Sequence, residues 1–262
     1  MDESKRGFLK IAGCSVLGVL GAAGIRAATD LGPGGKAEQA SATLSGKKWG
    51  MVVDPQRCLE EKGCTACIEA CHRAHNVPNI ADPKEEVKWV WKESFEHSFP
   101  NQSHQYTKAS LKEQSVLVFC NHCESPPCVR VCPTQATWKR EEDGLVMMDQ
   151  HRCIGCRYCM VACPYGSRSF NWQDHRNALK GGVKPEYPTR TKGVVEKCNF
   201  CAERLAKGQV PACVEACNQQ AGAGALHFGD LEDPESEVSK LLSENYSIQR
   251  KPGLGTEPQV YY

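Results

Sequence analysis

The sequence has almost no net charge, and it lacks the motifs that bind nucleotides or activate nucleophiles. Lysine and arginine together number 32 and aspartate and glutamate 31, which leaves a formal charge of +1. Proteins that bind nucleic acid usually carry an excess of positive charge, so this balance argues against a nucleic-acid partner. A phosphate-binding loop, a dinucleotide fingerprint and a nucleophile elbow are all missing. We therefore look for the chemistry in another group of residues.

Aliphatic and aromatic side chains are also scarce for a chain of 262 residues. The apolar residues make up 40% of the sequence, but 17 of them are cysteines, so the other apolar residues amount to about a third. A core of this kind needs additional cross-links, which either disulfides or metal centres can supply. The spacing of the cysteines separates these two possibilities.

Residues 1–30 carry the features of an export signal. Lys5, Arg6 and Lys10 precede an uncharged run at 11–25, which is too short, at about 1.5 Å per residue, to cross a hydrocarbon layer of about 30 Å. Residues 4–10 resemble a twin-arginine signal in which Lys5 replaces the first arginine. We expect folded export to the periplasmic side of the cytoplasmic membrane, and an uncleaved signal that anchors the chain stays an alternative. Residues 31–48 have the composition of a flexible linker.

Apart from Cys14, the cysteines form four groups of four with short internal spacings. The first to fourth quartets are Cys58, Cys64, Cys67 and Cys71; Cys120, Cys123, Cys128 and Cys132; Cys153, Cys156, Cys159 and Cys163; and Cys198, Cys201, Cys213 and Cys217. The third quartet has the run Cys-x2-Cys-x2-Cys-x3-Cys-Pro, which is typical of bacterial ferredoxins. We therefore predict that all sixteen cysteines are metal ligands and hold four 4Fe-4S clusters, and we predict no catalytic residue.

Three other uses of cysteine fit this spacing less well. A structural zinc site closes with four ligands and does not require the ferredoxin run. Disulfide-dense proteins are usually small, and paired bridges give no reason for repeated quartets. Covalent haem needs Cys-x-x-Cys-His, and the spacing before His72 is one residue too long. His72, His75, His122 and His151 lie beside quartets; each is able to hydrogen-bond a sulfur, but we expect partly buried polar packing.

The two halves of the chain repeat one another. Asp-x-x-Arg-Cys occurs at 54–58 and at 149–153, and Cys-Asn-x-Cys occurs at 120–123 and at 198–201. In each Asp-x-x-Arg-Cys copy, the arginine is expected to hold its loop through the aspartate. We predict an α+β fold in which loop-rich, tandem bacterial-ferredoxin-like lobes are built around 4Fe-4S clusters.

The predicted domain boundaries follow from the quartets. The four-cluster domain spans 49–249, with an outer lobe from 49–81 and 190–249, a central lobe at 114–180 and an insertion at 82–113. The insertion is either a docking surface or a solvated helix with Trp89 and Trp91 turned inward. Short strands are expected at 52–53 and 146–148. The C-terminal arm, residues 250–262, is rich in proline and glycine and ends in Val-Tyr-Tyr, and we expect it to lie extended along a partner subunit.

Five stretches carry a resemblance to known proteins, and they lie at 63–72, 76–78, 89–93, 137–139 and 191–201. With the quartets, they are similar to the four-cluster iron–sulfur subunits of the DMSO-reductase, polysulfide-reductase and NrfC type. They resemble most the DsrO family, the periplasmic ferredoxin-like subunits of the membrane complex associated with dissimilatory sulfite reductase. The resemblance covers about 49–262. It implies an electron-transfer subunit of a respiratory complex linked to sulfur metabolism, without a substrate-converting site of its own.

The resemblance also implies partners. These are a polytopic quinone-interacting membrane subunit of the NrfD or DsrP type, a periplasmic multihaem cytochrome c of the DsrJ type, and other redox subunits of the complex. The chain would relay electrons between the membrane subunit and the periplasmic partners. The alternative is an electron-feeding subunit of a molybdopterin-type reductase of the polysulfide, tetrathionate or DMSO class.

The quartets can share their ligands in two ways, because the fourth cysteine of a ferredoxin run ligates the neighbouring cluster. Chain order suggests that the first quartet pairs with the second and the third with the fourth. The resemblance implies a crossed pairing instead. In that pairing the ligand sets are Cys58, Cys64, Cys67 and Cys217; Cys198, Cys201, Cys213 and Cys71; Cys120, Cys123, Cys128 and Cys163; and Cys153, Cys156, Cys159 and Cys132.

Overall fold

The first strand of the folded part, β1 (Trp49–Val53), is the middle strand of a three-stranded sheet. The strand β8 (Leu226–Asp230) pairs with it antiparallel, and β9 (Val260–Tyr261) pairs with it parallel. The computed structural model describes residues 46–179, 182–220 and 224–262. The predictions for the export signal, and for all but the last residues of the linker, lie outside the described residues.

Three two-stranded ribbons complete the strands of the described ranges. They are β2 (Val90–Ser94) with β3 (Ser115–Phe119), β4 (Thr137–Lys139) with β5 (Val146–Met148), and β6 (Ser169–Phe170) with β7 (Val195–Glu196), all antiparallel. The strands predicted at 52–53 and 146–148 are confirmed within β1 and β5. Valine and methionine side chains on such short strands pack one face against the core, as pleated geometry requires.

The helices are short and are separated by long loops. They are α1 (Pro55–Glu60), α2 (Ala66–Ala74), α3 (Phe95–Ser98), α4 (Ala109–Lys112), α5 (Pro127–Arg130), α6 (Tyr158–Ala162), α7 (Ala202–Leu205), α8 (Ala212–Gln219) and α9 (Glu237–Glu244). Single 3₁₀ turns lie at Arg176–Ala178 and Pro252–Leu254. This arrangement confirms the loop-rich α+β fold. Within the described ranges, every helix is too short or too polar to span a lipid bilayer.

The loops that lead into the first and third quartets are held by the repeated aspartates. The carboxylate of Asp54 accepts hydrogen bonds from the backbone N–H groups of Gln56 and Arg57, and Pro55 occupies the first turn of α1. The Arg57 side chain lies 3.5 Å from Asp54, and the repeat of this pair, Arg152 with Asp149, spans 3.3 Å. The predicted role of these arginines is confirmed.

The insertion at 82–113 is a strand and two short helices. The predicted alternative of a helix across the tryptophan segment is wrong. Trp89 directly precedes β2 and Trp91 lies within it, and β2 pairs with β3 from Val90 to Ser94. Aromatic and β-branched residues favour such a pleated, half-buried surface. The tryptophans are turned inward as expected, since Trp89 and Trp91 are both buried. Its use as a docking surface stays a prediction.

Two apolar cores share the described part of the chain. The main core contains residues from β1, β3 and β8 together with Trp89 and Phe200. A smaller core consists of Cys128, Val146, Cys159 and Val195. Six buried cysteines belong to these cores and supplement the scarce aliphatic residues; they are Cys67, Cys71, Cys198 and Cys213 in the main core and Cys128 and Cys159 in the smaller one.

The C-terminal arm packs its aromatic end on its own chain, and its contact with a partner subunit stays a prediction. Val260 is fully buried, and the ring of Tyr262 meets Phe99 edge-on with centroids 5.0 Å apart. The arm also bonds to the loop of the second quartet. Gln259 donates its backbone N–H to the Asn121 carbonyl over 2.8 Å. The apolar end of the arm is thus shielded from water by β1 and its neighbours, so no partner is needed to cover it.

Candidate metal centres

The first candidate site is an apolar cavity lined by cysteines from distant parts of the chain. Cys58, Cys64 and Cys67 of the first quartet meet Cys217 of the fourth there. The first three come from α1, the following loop and the start of α2, and Cys217 lies near the end of α8. Leu117 of β3 and Leu226 of β8 contribute apolar wall, and the remaining lining residues are Arg57, Glu61, Lys92, Gln220 and Ala225. This is the crossed set of ligands, and it differs from the set that chain order suggests.

The second candidate site lies between α2 and α8, which pack against each other. Burial raises the pKa of the Cys71 thiol well above its usual value, and the adjacent thiolates of Cys198, Cys213 and Cys201 raise it further. These four cysteines are all buried. In each helix two cysteines are four residues apart and so lie on one face. The two helices therefore exchange cysteines: each places one cysteine in the site to which the other helix also contributes.

The third candidate site brings together the second quartet and the last cysteine of the third. Cys120, Cys123, Cys128 and Cys163 line one narrow cavity. Three prolines line it as well, and these are Pro126, Pro127 and Pro164. Proline has no N–H to satisfy and fixes the path of the chain, which suits it to the wall of a dry cavity. The crossed pairing is again the observed grouping.

The fourth candidate site is the most exposed. Cys159 is buried at the start of α6, whereas Cys156 is exposed. The loop just before Cys156 packs tightly against the segment just before β7. A Cβ on Gly155, which has a φ of +70°, would lie 2.3 Å from the Gly193 carbonyl oxygen. Cys132 follows α5, which packs against α6. Its place as the fourth ligand stays a prediction.

The cysteine loops contain an unusual number of non-glycine residues in the left-handed region. They are His122 in the second quartet, Arg157 in the third, and Phe200 and Cys201 in the fourth, with φ between 42° and 64°. Successive N–H groups in such loops form concave nests that favour negatively charged groups, including iron–sulfur clusters. Strain of this kind is kept where the surroundings enforce it, as at binding sites.

The donors in these sites fit iron–sulfur clusters. The sixteen cysteines of the described residues are all free thiols. Backbone N–H groups already point at sulfur, from Phe200 to Cys198 and from Ala212 to Cys201, both over 3.4 Å. Burial raises the pKa of Cys123 to about 12. Several thiolates in one apolar cavity are costly unless a cationic metal centre binds them, and these sites supply the required sulfur ligands and hydrogen bonds.

Three of the four histidines beside the quartets are buried or half-buried, as expected. The same expectation is wrong for His151, which is exposed. His122 is enclosed: its Nδ1 accepts from the Val146 N–H over 3.1 Å, and its Nε2 donates to the Cys198 carbonyl over 3.1 Å. Burial lowers the pKa of His122 well below its usual value. The neutral ring therefore bridges two cysteine loops.

His75 joins the second site to the buried tryptophan. Its Nε2 lies 2.8 Å from the Glu203 carboxylate, and its ring stacks on Trp89 with centroids 4.5 Å apart. Burial raises the pKa of Glu203, but the hydrogen bond and charge of His75, together with hydrogen bonds from Asn199 and the backbone, lower it, so the carboxyl pKa lies below its usual value. His75, Glu203 and the Cys201 thiol come within 4.8 Å of one another. Since Cys201 belongs to the cysteine site, we interpret the other two as its surroundings.

The comparisons with known proteins agree with this geometry. A family model described as a 4Fe-4S dicluster domain matches residues 114–180 and 183–231. The Hdr-like menaquinol oxidoreductase iron–sulfur subunit 1 of Archaeoglobus fulgidus is 41% identical over 99% of this chain and 97% of its own. The chain belongs to the respiratory iron–sulfur subunits of the NrfC and DMSO-reductase type.

Two further members of the NrfC and DMSO-reductase type show the breadth of the similarity. A putative dimethyl sulfoxide reductase iron–sulfur subunit of Halobacterium salinarum is 38% identical over 82% of this chain and 78% of its own. The NrfC protein of Escherichia coli is 33% identical over 88% of this chain and 86% of its own. As a subunit of this type, the chain binds 4Fe-4S clusters and transfers electrons within a respiratory complex.

Sequence reasoning missed the polar residues that surround the cysteines of this NrfC-type subunit. Glu203 lies in the long spacing between Cys201 and Cys213, Arg168 lies beyond Cys163, and no motif in the sequence marks either residue. The buried pair of Arg190 and Glu196 was missed in the same way. Glu196 also accepts a hydrogen bond from the Trp89 indole over 2.6 Å. Only the three-dimensional structure brings these groups together, because each acts on residues far away in the chain.

Proposed function

We propose that this chain relays electrons between a quinone-interacting membrane subunit and periplasmic redox partners in a respiratory complex linked to sulfur metabolism. The observation that carries the proposal is the similarity to a menaquinol oxidoreductase iron–sulfur subunit along 99% of the chain. We propose further that the chain is of the DsrO type. Its partners would then be an NrfD- or DsrP-type polytopic membrane subunit, a DsrJ-type multihaem cytochrome c and other redox subunits, without nucleic acid.

The residues of this chain have a limited set of tasks in that function. Bound 4Fe-4S clusters supply one-electron redox chemistry at potentials that the protein sets. Four cysteines hold each site, the nests of the loops orient N–H groups toward sulfur, and the apolar walls exclude water. Sharing of ligands between quartets keeps neighbouring sites in one rigid body, and we propose that four clusters form the relay.

The test uses the complex isolated without oxygen from membranes. Addition of a reduced menaquinone analogue should reduce the clusters of this chain, as followed by visible absorption and EPR. The Cys128→Ser variant, which removes a ligand of the third site, should abolish electron transfer from the quinol to the periplasmic cytochrome. Cys14→Ser, outside the quartets, is the matched control and should transfer electrons normally.

Clusters that stay oxidised in the presence of quinol would contradict the proposal. The second candidate function is electron feeding to a molybdopterin-type reductase, and the similarity to a DMSO reductase subunit favours it. A molybdenum enzyme that co-purifies with the chain and exchanges electrons with it would support that candidate instead.

We also propose that the chain is exported, already folded, to the periplasmic side of the cytoplasmic membrane. Clusters acquired in the cytoplasm require that the protein cross the membrane in its folded form, which a twin-arginine route permits. Replacing both Lys5 and Arg6 by glutamine should trap the protein inside the cell, as fractionation and immunodetection would show. Arg26→Gln, at the other end of the uncharged run, should be delivered normally. Unchanged delivery of the double variant would refute this route.

A further inference from the structure

Arg168 is a buried cation between the third and fourth candidate sites. It lies five residues after Cys163, directly before β6, and its side chain is 4% exposed. An unpaired buried guanidinium is costly, so a residue at this position needs partners for both its charge and its N–H groups.

The partners of Arg168 are mostly sulfur atoms. Its Nη2 donates to the Cys128 thiol sulfur over 3.0 Å and to the Thr137 hydroxyl over 2.8 Å. Its Nη1 lies 3.7 Å from the sulfur of Met148. Burial lowers the pKa of Arg168, but Cys128, Cys159 and then Cys120 raise it, so that it lies above its usual value. No carboxylate of the described ranges forms an ion pair with Arg168.

Cys128 and Cys159 belong to different sites but to the same small core. Cys128 is a ligand of the third site and Cys159 of the fourth, and they pack together with Val146 and Val195. Burial raises the pKa of Cys159, and the Arg168 charge opposes it. The guanidinium therefore donates to a thiol of the third site, and its charge also acts on the Cys159 thiol of the fourth site, which packs in the same small core. Arginine suits this position because its planar fork carries several donors and keeps its charge.

We propose that Arg168 is a positioning residue that raises the reduction potentials of both central clusters together. A cluster gains negative charge when it is reduced, so a fixed cation and a charge-assisted hydrogen bond at its sulfur favour the reduced state. The sites at α2 and α8 have no such buried guanidinium at their thiols among the described residues; the second has Glu203 close to Cys201 instead. The central pair would thus hold an electron more readily than the second site.

The proposal rests on the proposed four-cluster function, and the test separates the two. Arg168→Gln removes the charge and keeps a polar side chain. In a redox titration followed by EPR, we expect the ratio of reduced to oxidised central clusters at a fixed potential to fall about tenfold, equivalent to about 59 mV for a one-electron couple. The outer two clusters should keep their potentials. Arg168→Lys should keep the central potentials close to those of the unsubstituted protein, because lysine retains the positive charge.

The matched control is Arg130→Gln. Arg130 lies two residues after Cys128 of the third site, but it is exposed, and water screens its charge. We expect no change in any potential. Central potentials that are unchanged in Arg168→Gln, or four potentials that shift equally, would overturn the proposal even if electron transfer from quinol proceeds normally.

A measurement on the unsubstituted protein covers the case in which Arg168→Gln loses a cluster. Arginine labelled with ¹⁵N should give a hyperfine coupling in pulsed EPR on the signals of the two central clusters, and Arg168→Lys should remove it. Coupling on neither signal, or on only one, would overturn the shared role of Arg168. An iron content below that of four clusters would instead count against the cluster assignment.

Discussion

Replacing Cys217 by serine should disrupt the cluster of the first site, far away in the chain from the quartet that supplies the other three ligands. The unsubstituted protein should hold about sixteen iron atoms, four in each of four sites. Loss of one site reduces this to about twelve. The physical reason is that Cys217 lines the same cavity as Cys58, Cys64 and Cys67. Anaerobic iron and sulfide analysis, together with EPR, measures both effects.

The comparison with two other variants makes the test specific. Cys64→Ser should perturb the same EPR signal as Cys217→Ser, because both remove a ligand of the first site. Cys201→Ser should perturb a different signal, that of the second site. If Cys217→Ser matched Cys201→Ser instead, the crossed pairing would be wrong. Twelve irons in the unsubstituted protein would show that one quartet holds no cluster.

Deletion of residues 250–262 should destabilise the fold and lower its cluster content. The deletion removes β9 from the edge of β1 and exposes the apolar surface that Val260 and Tyr262 cover. It also frees the loop of the second quartet, because Glu124 and Ser125 donate their N–H groups to carbonyl groups of the arm. We expect a lower melting temperature and loss of iron, above all from the third site.

A pair of point variants distinguishes packing from simple truncation. Val260→Asp places a carboxylate at a position with no exposure, and burial of an unpaired charge is among the most destabilising substitutions, at about 4 kcal/mol or more. Leu254→Asp, in the same arm, changes a side chain that is 57% exposed and should be nearly neutral. If both variants kept their iron while the complex fell apart, the arm would serve a partner after all.

The quartets were predictable because their ligands are close in sequence. Three cysteines within a short loop, such as Cys153, Cys156 and Cys159, have to bind one centre, whatever the rest of the chain does. The fourth ligand was not predictable from spacing. Cys217 reaches the first site only because α2 and α8 pack together, and that packing depends on residues well over a hundred positions apart.

The other features that were not predicted have the same physical origin. The inward position of Trp89 and Trp91 agrees with the prediction. Formation of β2 at this segment depends on pairing with β3, which the local sequence does not reveal. The C-terminal arm has no regular pattern of its own, and its burial follows from a vacant edge on β1. Nothing in the sequence distinguishes Arg168 from the other arginines, because its contact with Cys128, at 3.0 Å, forms only in the folded chain.

The ligand exchange between α2 and α8 determines when, during synthesis, the protein can be completed. Cys58 and Cys217 are about 160 residues apart, so at about 5–20 residues per second the ribosome delivers the last ligand of the first site roughly 8–30 seconds after the first. The sheet closes later still, when Val260 reaches β1. The two sites at α2 and α8 therefore lack a full set of ligands until Cys217 has been made, whereas every ligand of the two central sites is present once Cys163 has been synthesised. The central clusters can thus be completed before the outer ones, and the last loading step needs nearly the whole polypeptide.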